Sequence, residues 1–238
     1  MIYPNKNGVA IMGKGLIANA LRRIEDKLPA GVYFFNSPSS IVLFDKELEY
    51  CVRETINDFI NVLEYCKKHG TYLVYPSSAT VYNKNTAYSR CKVICEELAM
   101  VWGIPSLGLR IAAGYGPGES HKGEHASVVY QWTKAMMNGE SPVIFGDGTQ
   151  TRDFIHEEDI AWAIWNLAAD GTVGIRDIGT GINTSFNEVV KDINTVLGTN
   201  ITPVYVPKPQ HYVEETRVEG TLAKFDLLDG IRDIYKSL

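Results

Sequence analysis

Residues 8–21 read Gly8-Val9-Ala10-Ile11-Met12-Gly13-Lys14-Gly15-Leu16-Ile17-Ala18-Asn19-Ala20-Leu21. Val9 to Met12 is a short apolar run, as in a strand covered on both faces. Beyond the glycines, apolar residues recur at helical spacing at Leu16, Ala20, Leu21 and Ile24, a pattern taken here to Lys27, before Pro29 and Gly31 stop it. A strand that passes through a glycine turn into a helix opens a βαβ unit. Its turn presents backbone N–H groups at a helix N-terminus, and glycines let a dinucleotide pyrophosphate approach. Gly13, Lys14, Gly15, Leu16 and Ile17 are therefore candidate cofactor contacts, Lys14 as a point charge. A Gly-x-Gly alone fits an ordinary tight turn equally well.

The same alternation continues outward. Val32-Tyr33-Phe34-Phe35 is a second apolar strand, and a helical stretch from about Glu47 to His69 ends at Gly70, a residue suited to close a helix. Thr71 to Tyr75 is a strand of β-branched and aromatic residues. Ala87 to Trp102 reads as a helix, and Ile104 to Ile111 as a strand. Strands apolar on both faces and separated by helices imply a parallel sheet with helices on both sides. Beyond Gly116 the pattern loosens. Helices are expected at 126–137, 157–168 and 186–197, and strands at 143–145, 175–178 and 201–206, as a smaller C-terminal lobe. Trp162 and Trp165 fit the buried face of the second of these helices.

Composition bounds the rest. A chain of 238 residues, 45% hydrophobic and 21% charged, makes one large domain or a domain with a grafted lobe. A net charge of −5 gives no basic footprint for nucleic acid. No apolar run approaches the ~18 residues of a membrane span. Residues 1–7 lack the apolar stretch of a signal peptide, so a cytoplasmic protein is expected. Cys51, Cys66, Cys91 and Cys95 have no paired spacing and read as buried thiols of a reducing compartment. His121, Glu124 and His125 flank Gly123 in a loop, and no metal site is expected.

The centre of the chain carries the chemistry. Tyr75-Pro76-Ser77-Ser78-Ala79-Thr80-Val81-Tyr82 is followed by Tyr88-Ser89-Arg90-Cys91-Lys92. Tyr88 and Lys92 are four apart on a helix and share a face. Ser78 falls past the end of a parallel strand, where open α/β sheets place their sites. Oxidising a carbinol needs a base for the hydroxyl proton, and a free tyrosine with pKa about 10 is too weak at neutral pH. A nearby ammonium favours phenolate, and a drop of about three units takes roughly 4 kcal/mol. Ser78 would bond the reacting oxygen.

With these residues the sequence resembles an extended short-chain dehydrogenase/reductase of the NAD-dependent epimerase/dehydratase family. Ser-Ser-Ala-Thr-Val-Tyr with Tyr-x-x-x-Lys resembles its active-site pair. Leu109-Arg110-Ile111-Ala112-Ala113-Gly114-Tyr115-Gly116-Pro117 resembles its strand-and-turn segment, and Gly146-Asp147-Gly148-Thr149-Gln150-Thr151-Arg152-Asp153-Phe154-Ile155-His156 its substrate segment. Within the family, His121-Lys122-Gly123 with Ala126-Ser127-Val128, and Gly179-Thr180-Gly181, look most like the ADP-glyceromanno-heptose 6-epimerases. The resemblance implies a nucleotide-sugar substrate, NAD or NADP, and epimerisation by transient oxidation and re-reduction of a carbinol. It makes Ser78, Tyr88, Lys92 and Lys122 the catalytic candidates. Substrate contacts are implied at Ser78, Ala79, Thr80, Lys122, Arg152 and His156; Arg217 is added on position alone. Asn36 and Ser37, at a strand end, join Tyr88 and Lys92 as cofactor candidates. Ala79 and Thr80 stand where the dehydratase branch carries Asp-Glu, which disfavours elimination. Domains are expected as a Rossmann-like part, 1–117 and 152–181, and a substrate lobe, 118–151 and 182–238. A homodimer through the two long helices is also implied. A ketoreductase or a non-catalytic nucleotide-sugar binder are the alternatives.

The departures are as informative. Met12 and Ala18 stand at two of the family's glycine positions. The second and third strands of the Rossmann half are missing, and with them the residue that reads the adenosine ribose. The loop between Tyr82 and Tyr88 is short, and Ala113 replaces the usual substrate-side Asn. Weak cofactor affinity is therefore expected, unless Lys14 or a neighbouring subunit compensates.

Overall fold

The computed structural model describes residues 2–83, 86–209, 212–220 and 223–238. Along the chain lie β1 (Val9–Met12), α1 (Leu16–Arg22), β2 (Gly31–Phe34), α2 (Ile41–Lys46), α3 (Leu48–His69), β3 (Leu73–Ser78), α4 (Ala87–Trp102) and β4 (Ser106–Ile111). Then come β5 (Ala113–Tyr115), α5 (Val128–Met137), β6 (Val143–Phe145), β7 (Thr151–His156), α6 (Glu157–Ala169) and β8 (Gly174–Ile178). The chain continues with β9 (Asn183–Ser185), α7 (Phe186–Leu197), β10 (Val204–Val206), β11 (Glu215–Thr216) and α8 (Leu227–Ser237). The chain divides into two compact units, Met1–Ile111 with Ala161–Ile178, and Ala112–Ile160 with Gly179–Leu238.

The first unit holds a five-stranded, all-parallel sheet in the order β1-β2-β3-β4-β8. Its strands are apolar on both faces: Val32, Tyr33, Leu73, Val74, Leu107 and Leu109 are fully buried. Phe34, Phe59, Leu63, Tyr75 and Cys95 knit the sheet to α3 and α4. α3 stops where Gly70 turns to the left-handed region at φ +61°, as its sequence demanded. Among the described residues the expected absence of two strands is visible in the order itself, because there β1 is an outermost strand and pairs only with β2.

The second unit has a four-strand arrangement, with β11-β7-β5 parallel and β9 antiparallel to β7, and a separate parallel pair β10-β6. Its core gathers Val129 and Met136 of α5, Val189 and Ile193 of α7, and Ile231 and Ile234 of α8. Ser185 and Glu188 form a capping box at the start of α7: the Glu188 N–H donates to Ser185 Oγ at 3.2 Å and Ser185 N–H to Glu188 Oε2 at 2.8 Å.

Three local expectations change. The first helix ends at Arg22, with a separate 3-10 turn at Glu25–Lys27, because Ile24 leaves helical geometry at φ −123°, ψ 21°. The strand expected from Ile201 begins at Val204. Trp162 is 36% exposed, with the Lys27 ammonium 4.4 Å from its ring centroid, so it lies off the buried face. The short loop before Tyr88 includes Lys84 and Asn85, which lie outside the described residues. No helix among the described residues is long and apolar enough to cross a membrane.

Candidate active site

β3 delivers Ser77 and Ser78 to its C-terminal end, and the backbone then enters a 3-10 turn, Ala79–Tyr82. Ser78 caps that turn. Its Oγ accepts from the Thr80 N–H at 3.2 Å and from the Thr80 hydroxyl at 3.0 Å. Both bonds are local, so they fix the Ser78 hydroxyl at the strand end. Ala79 is buried and Thr80 half-buried.

α4 begins at a second cap. Thr86 Oγ1 accepts from the Ser89 N–H at 3.1 Å, and Ser89 Oγ accepts from the Thr86 N–H at 3.2 Å. This closes the first turn of the helix, where Tyr88 sits. The Tyr88 ring packs edge-on against Phe44 of α2, with centroids 5.4 Å apart, in a cluster with Cys51 and Cys91. One turn on, Lys92 is 2% exposed. Its Nζ lies 5.5 Å from the Tyr88 ring centroid and donates to Ser37 Oγ at 2.9 Å. Three of the residues picked from sequence, Ser37, Tyr88 and Lys92, are thus brought together from two elements. Asn36 is exposed and donates to Asp58 of α3 at 3.0 Å.

The glycine turn lies at the C-terminal end of β1. Gly13 has φ +115°, and a Cβ there would stand 2.4 Å from the Phe35 carbonyl oxygen, so the backbone admits only glycine. Gly15 begins α1 with no side-chain cap, and a Cβ on it would meet nothing within 4 Å. Lys14 is exposed, Leu16 is buried and Ile17 half-buried. Arg22 secures the turn, donating to the Gly13 carbonyl at 2.6 Å and the Ile11 carbonyl at 3.3 Å.

Under Ser78 runs a polar chain that sequence reasoning missed. Ser77 Oγ donates to buried Glu96 at 2.5 Å, and Arg110 Nε and Nη2 grip both Glu96 oxygens at 2.9 and 2.7 Å. Arg110 also donates to the Tyr82 hydroxyl at 3.1 Å, which donates to Asp177. The bonded Glu96 carboxylate pushes the Arg110 guanidinium above its ordinary pKa. Burial pushes the Tyr82 phenol up, against the Arg110 bond. The signal was present: Glu96 follows Lys92 by four residues, as Lys92 follows Tyr88.

The remaining candidates belong to the second unit. Lys122 pairs at 2.9 Å with Glu119, which is 1% exposed and also accepts from the Ser127 N–H and hydroxyl. The Arg152 guanidinium donates to the carbonyls of Thr151, Val213 and Glu214 and lies over the Phe186 ring; burial lowers its pKa. His156 is buried, stacked on Phe225 at 4.1 Å and 3.3 Å from Asp233. Arg217 is exposed. No group of three or more His, Cys, Asp and Glu side chains among the described residues is placed to hold a metal ion.

Comparison with known proteins adds a framework. The sequence model of the NAD dependent epimerase/dehydratase family matches residues 16–179. A Methanocaldococcus jannaschii protein named "Putative UDP-glucose 4-epimerase" is 32% identical over 204 residues, 74% of this chain and 66% of its own length. The chain therefore spans about two thirds of that relative. Among solved structures, UDP-glucose 4-epimerase from Thermotoga maritima with UDP-glucose superposes at TM-score 0.82, with 24% identity, over 92% of this chain and 80% of that one. The Thermus thermophilus UDP-glucose 4-epimerase complex with NAD gives 0.79, with 19% identity, over 94% and 82%.

Proposed function

From a chain that belongs to the NAD-dependent epimerase/dehydratase family, we infer a nucleotide-sugar epimerase working through Tyr88 and Lys92. The observation that carries this reading is the buried Lys92 ammonium, one helical turn from Tyr88 and anchored to Ser37. A buried cation beside a phenol stabilises negative charge on the phenol oxygen as a proton arrives or leaves. The Ser78 hydroxyl holds the carbinol oxygen of the sugar, and Tyr88 removes its proton and later returns it. Lys122, held by Glu119, is the second acid/base candidate.

The residues present fit the nicotinamide end of NAD or NADP and the phosphate that follows it. An ammonium has three N–H donors, and with Ser37 taking one, two remain for ribose hydroxyls. Gly15 leaves open space at the start of α1, with Gly13, Lys14, Leu16 and Ile17 alongside. When bound, the dinucleotide supplies a reversible acceptor of two electrons from the carbinol carbon. Arg152, His156 and Arg217 are proposed for the sugar-nucleotide side. The names of the relatives put UDP-sugars and carbon 4 first among substrates to assay. A homodimer is proposed through α3 and α4, which expose Leu48, Tyr50, Ile94, Met100 and Val101.

The test is interconversion of UDP-glucose and UDP-galactose with added NAD, followed by chromatography. Tyr88→Phe keeps the ring against Phe44 and removes only the hydroxyl. It is expected to lower kcat by about 10²–10⁴ with an unchanged melting curve. Intact turnover in that variant sinks the mechanism. Label passing from reduced cofactor into product points to a reductase, and nucleotide-sugar binding without turnover to a binding protein.

A further inference from the structure

We infer that the cofactor site reads only the nicotinamide mononucleotide half of the dinucleotide, and that the adenosine half adds nothing to affinity. This rests on the cofactor reading above and deepens it.

A dinucleotide site is assembled from two mononucleotide-binding halves. The first half places two further strands beyond its first strand, and an acidic residue about 20 residues past the glycine turn bonds the adenosine ribose. Here only residues 23–30 separate α1 from β2. The positions that distance past the turn fall in Val32-Tyr33-Phe34-Phe35, apolar and largely buried between β1 and β3. No carboxylate stands there.

The outer edge of β1 is also closed. Gly8 and Met12 turn their carbonyls toward β2, accepting from Gly31 and Phe35, so Val9 and Ile11 direct theirs outward. Asn5 takes both backbone groups of Val9: its N–H donates to the Val9 carbonyl at 2.8 Å, and its Oδ1 accepts from the Val9 N–H at 3.1 Å. Arg22 takes the Ile11 and Gly13 carbonyls. An added strand would have to break these bonds before it paired. The edge is therefore finished by the chain's own backbone and side chains, and an adenine placed beside it meets no second wall. The nicotinamide end, by contrast, is complete in its anchors: Lys92, Tyr88 and Ser37 are packed and bonded.

Calorimetric titration of the full chain with NAD, nicotinamide mononucleotide and AMP tests this. NAD and the mononucleotide are expected to bind with Kd values within about threefold of each other, and AMP not to saturate. NAD binding more than about threefold tighter than the mononucleotide, or AMP competing with NAD, overturns the inference and leaves the cofactor reading intact. Binding of neither NAD nor the mononucleotide overturns both.

Discussion

Two glycines of one turn do different work. Gly13 is held at φ +115° with its Cβ direction blocked by the Phe35 carbonyl, whereas Gly15 has ordinary φ and open space. Gly13→Ala is expected to destabilise the chain by about 1–3 kcal/mol, read as a lower urea midpoint. Gly15→Ala is expected to leave that midpoint unchanged or slightly raised. It should weaken cofactor binding, since a methyl group then stands where the phosphate approaches; unaltered titration curves would remove Gly15 from the site. The buried thiols are a third residue-level case. Burial pushes Cys66 up to about 12 and Cys95 up to about 11. All four cysteines are buried and unpaired, so a thiol reagent at pH 8 should label none in the native protein and all after unfolding.

At the scale of elements, the cap of α7 ties its stability to pH. At α7, hydrogen bonds from the Ser185 hydroxyl and N–H hold the Glu188 carboxyl below its usual range. A lowered folded-state pKa means stability present above the unfolded value and lost as pH falls through the folded one. Ser185→Ala should therefore cost about 1 kcal/mol at neutral pH, with the gap to wild type narrowing below about pH 4 but not closing, since the Glu188 N–H loses its Ser185 Oγ acceptor at every pH. Paired denaturation curves at pH 7 and pH 3.5 check this. Elements with a strong local signal were legible in the sequence. α3 has long apolar spacing closed by Gly70, α7 spans the expected 186–197, and Tyr88 and Lys92 share a helical face. The strands β5 and β7 were not legible, because their pairing is non-local: Ala113 meets Phe154 across forty-odd residues, and no period marks the three residues of β5. Glu119 likewise carries no signal in the sequence, since its burial against Lys122 and Ser127 comes from the folded chain.

For the whole molecule, two cores matter more than one. The first unit closes around Phe59, Leu63 and Leu73, the second around Val189, Ile193 and Ile231. Ile193→Ala should cost about 2–5 kcal/mol, a loss that belongs to the second core. Mononucleotide binding, whose anchors all lie in the first unit, is expected to persist in that variant below its lowered melting temperature. Loss of binding while the fold remains would show that the two cores are energetically coupled. A sheet that ends two strands early also faces a hazard unrelated to catalysis. An outermost strand with free carbonyls is a template on which copies stack side by side into insoluble ribbons. Arg22 masks the Ile11 carbonyl of that strand, and the Gly13 carbonyl just past its end, with a charged group that a second copy would have to displace. Arg22→Ala should therefore scatter light increasingly with protein concentration while wild type stays clear, and the arginine that tethers the turn would prove to keep the protein in solution as well.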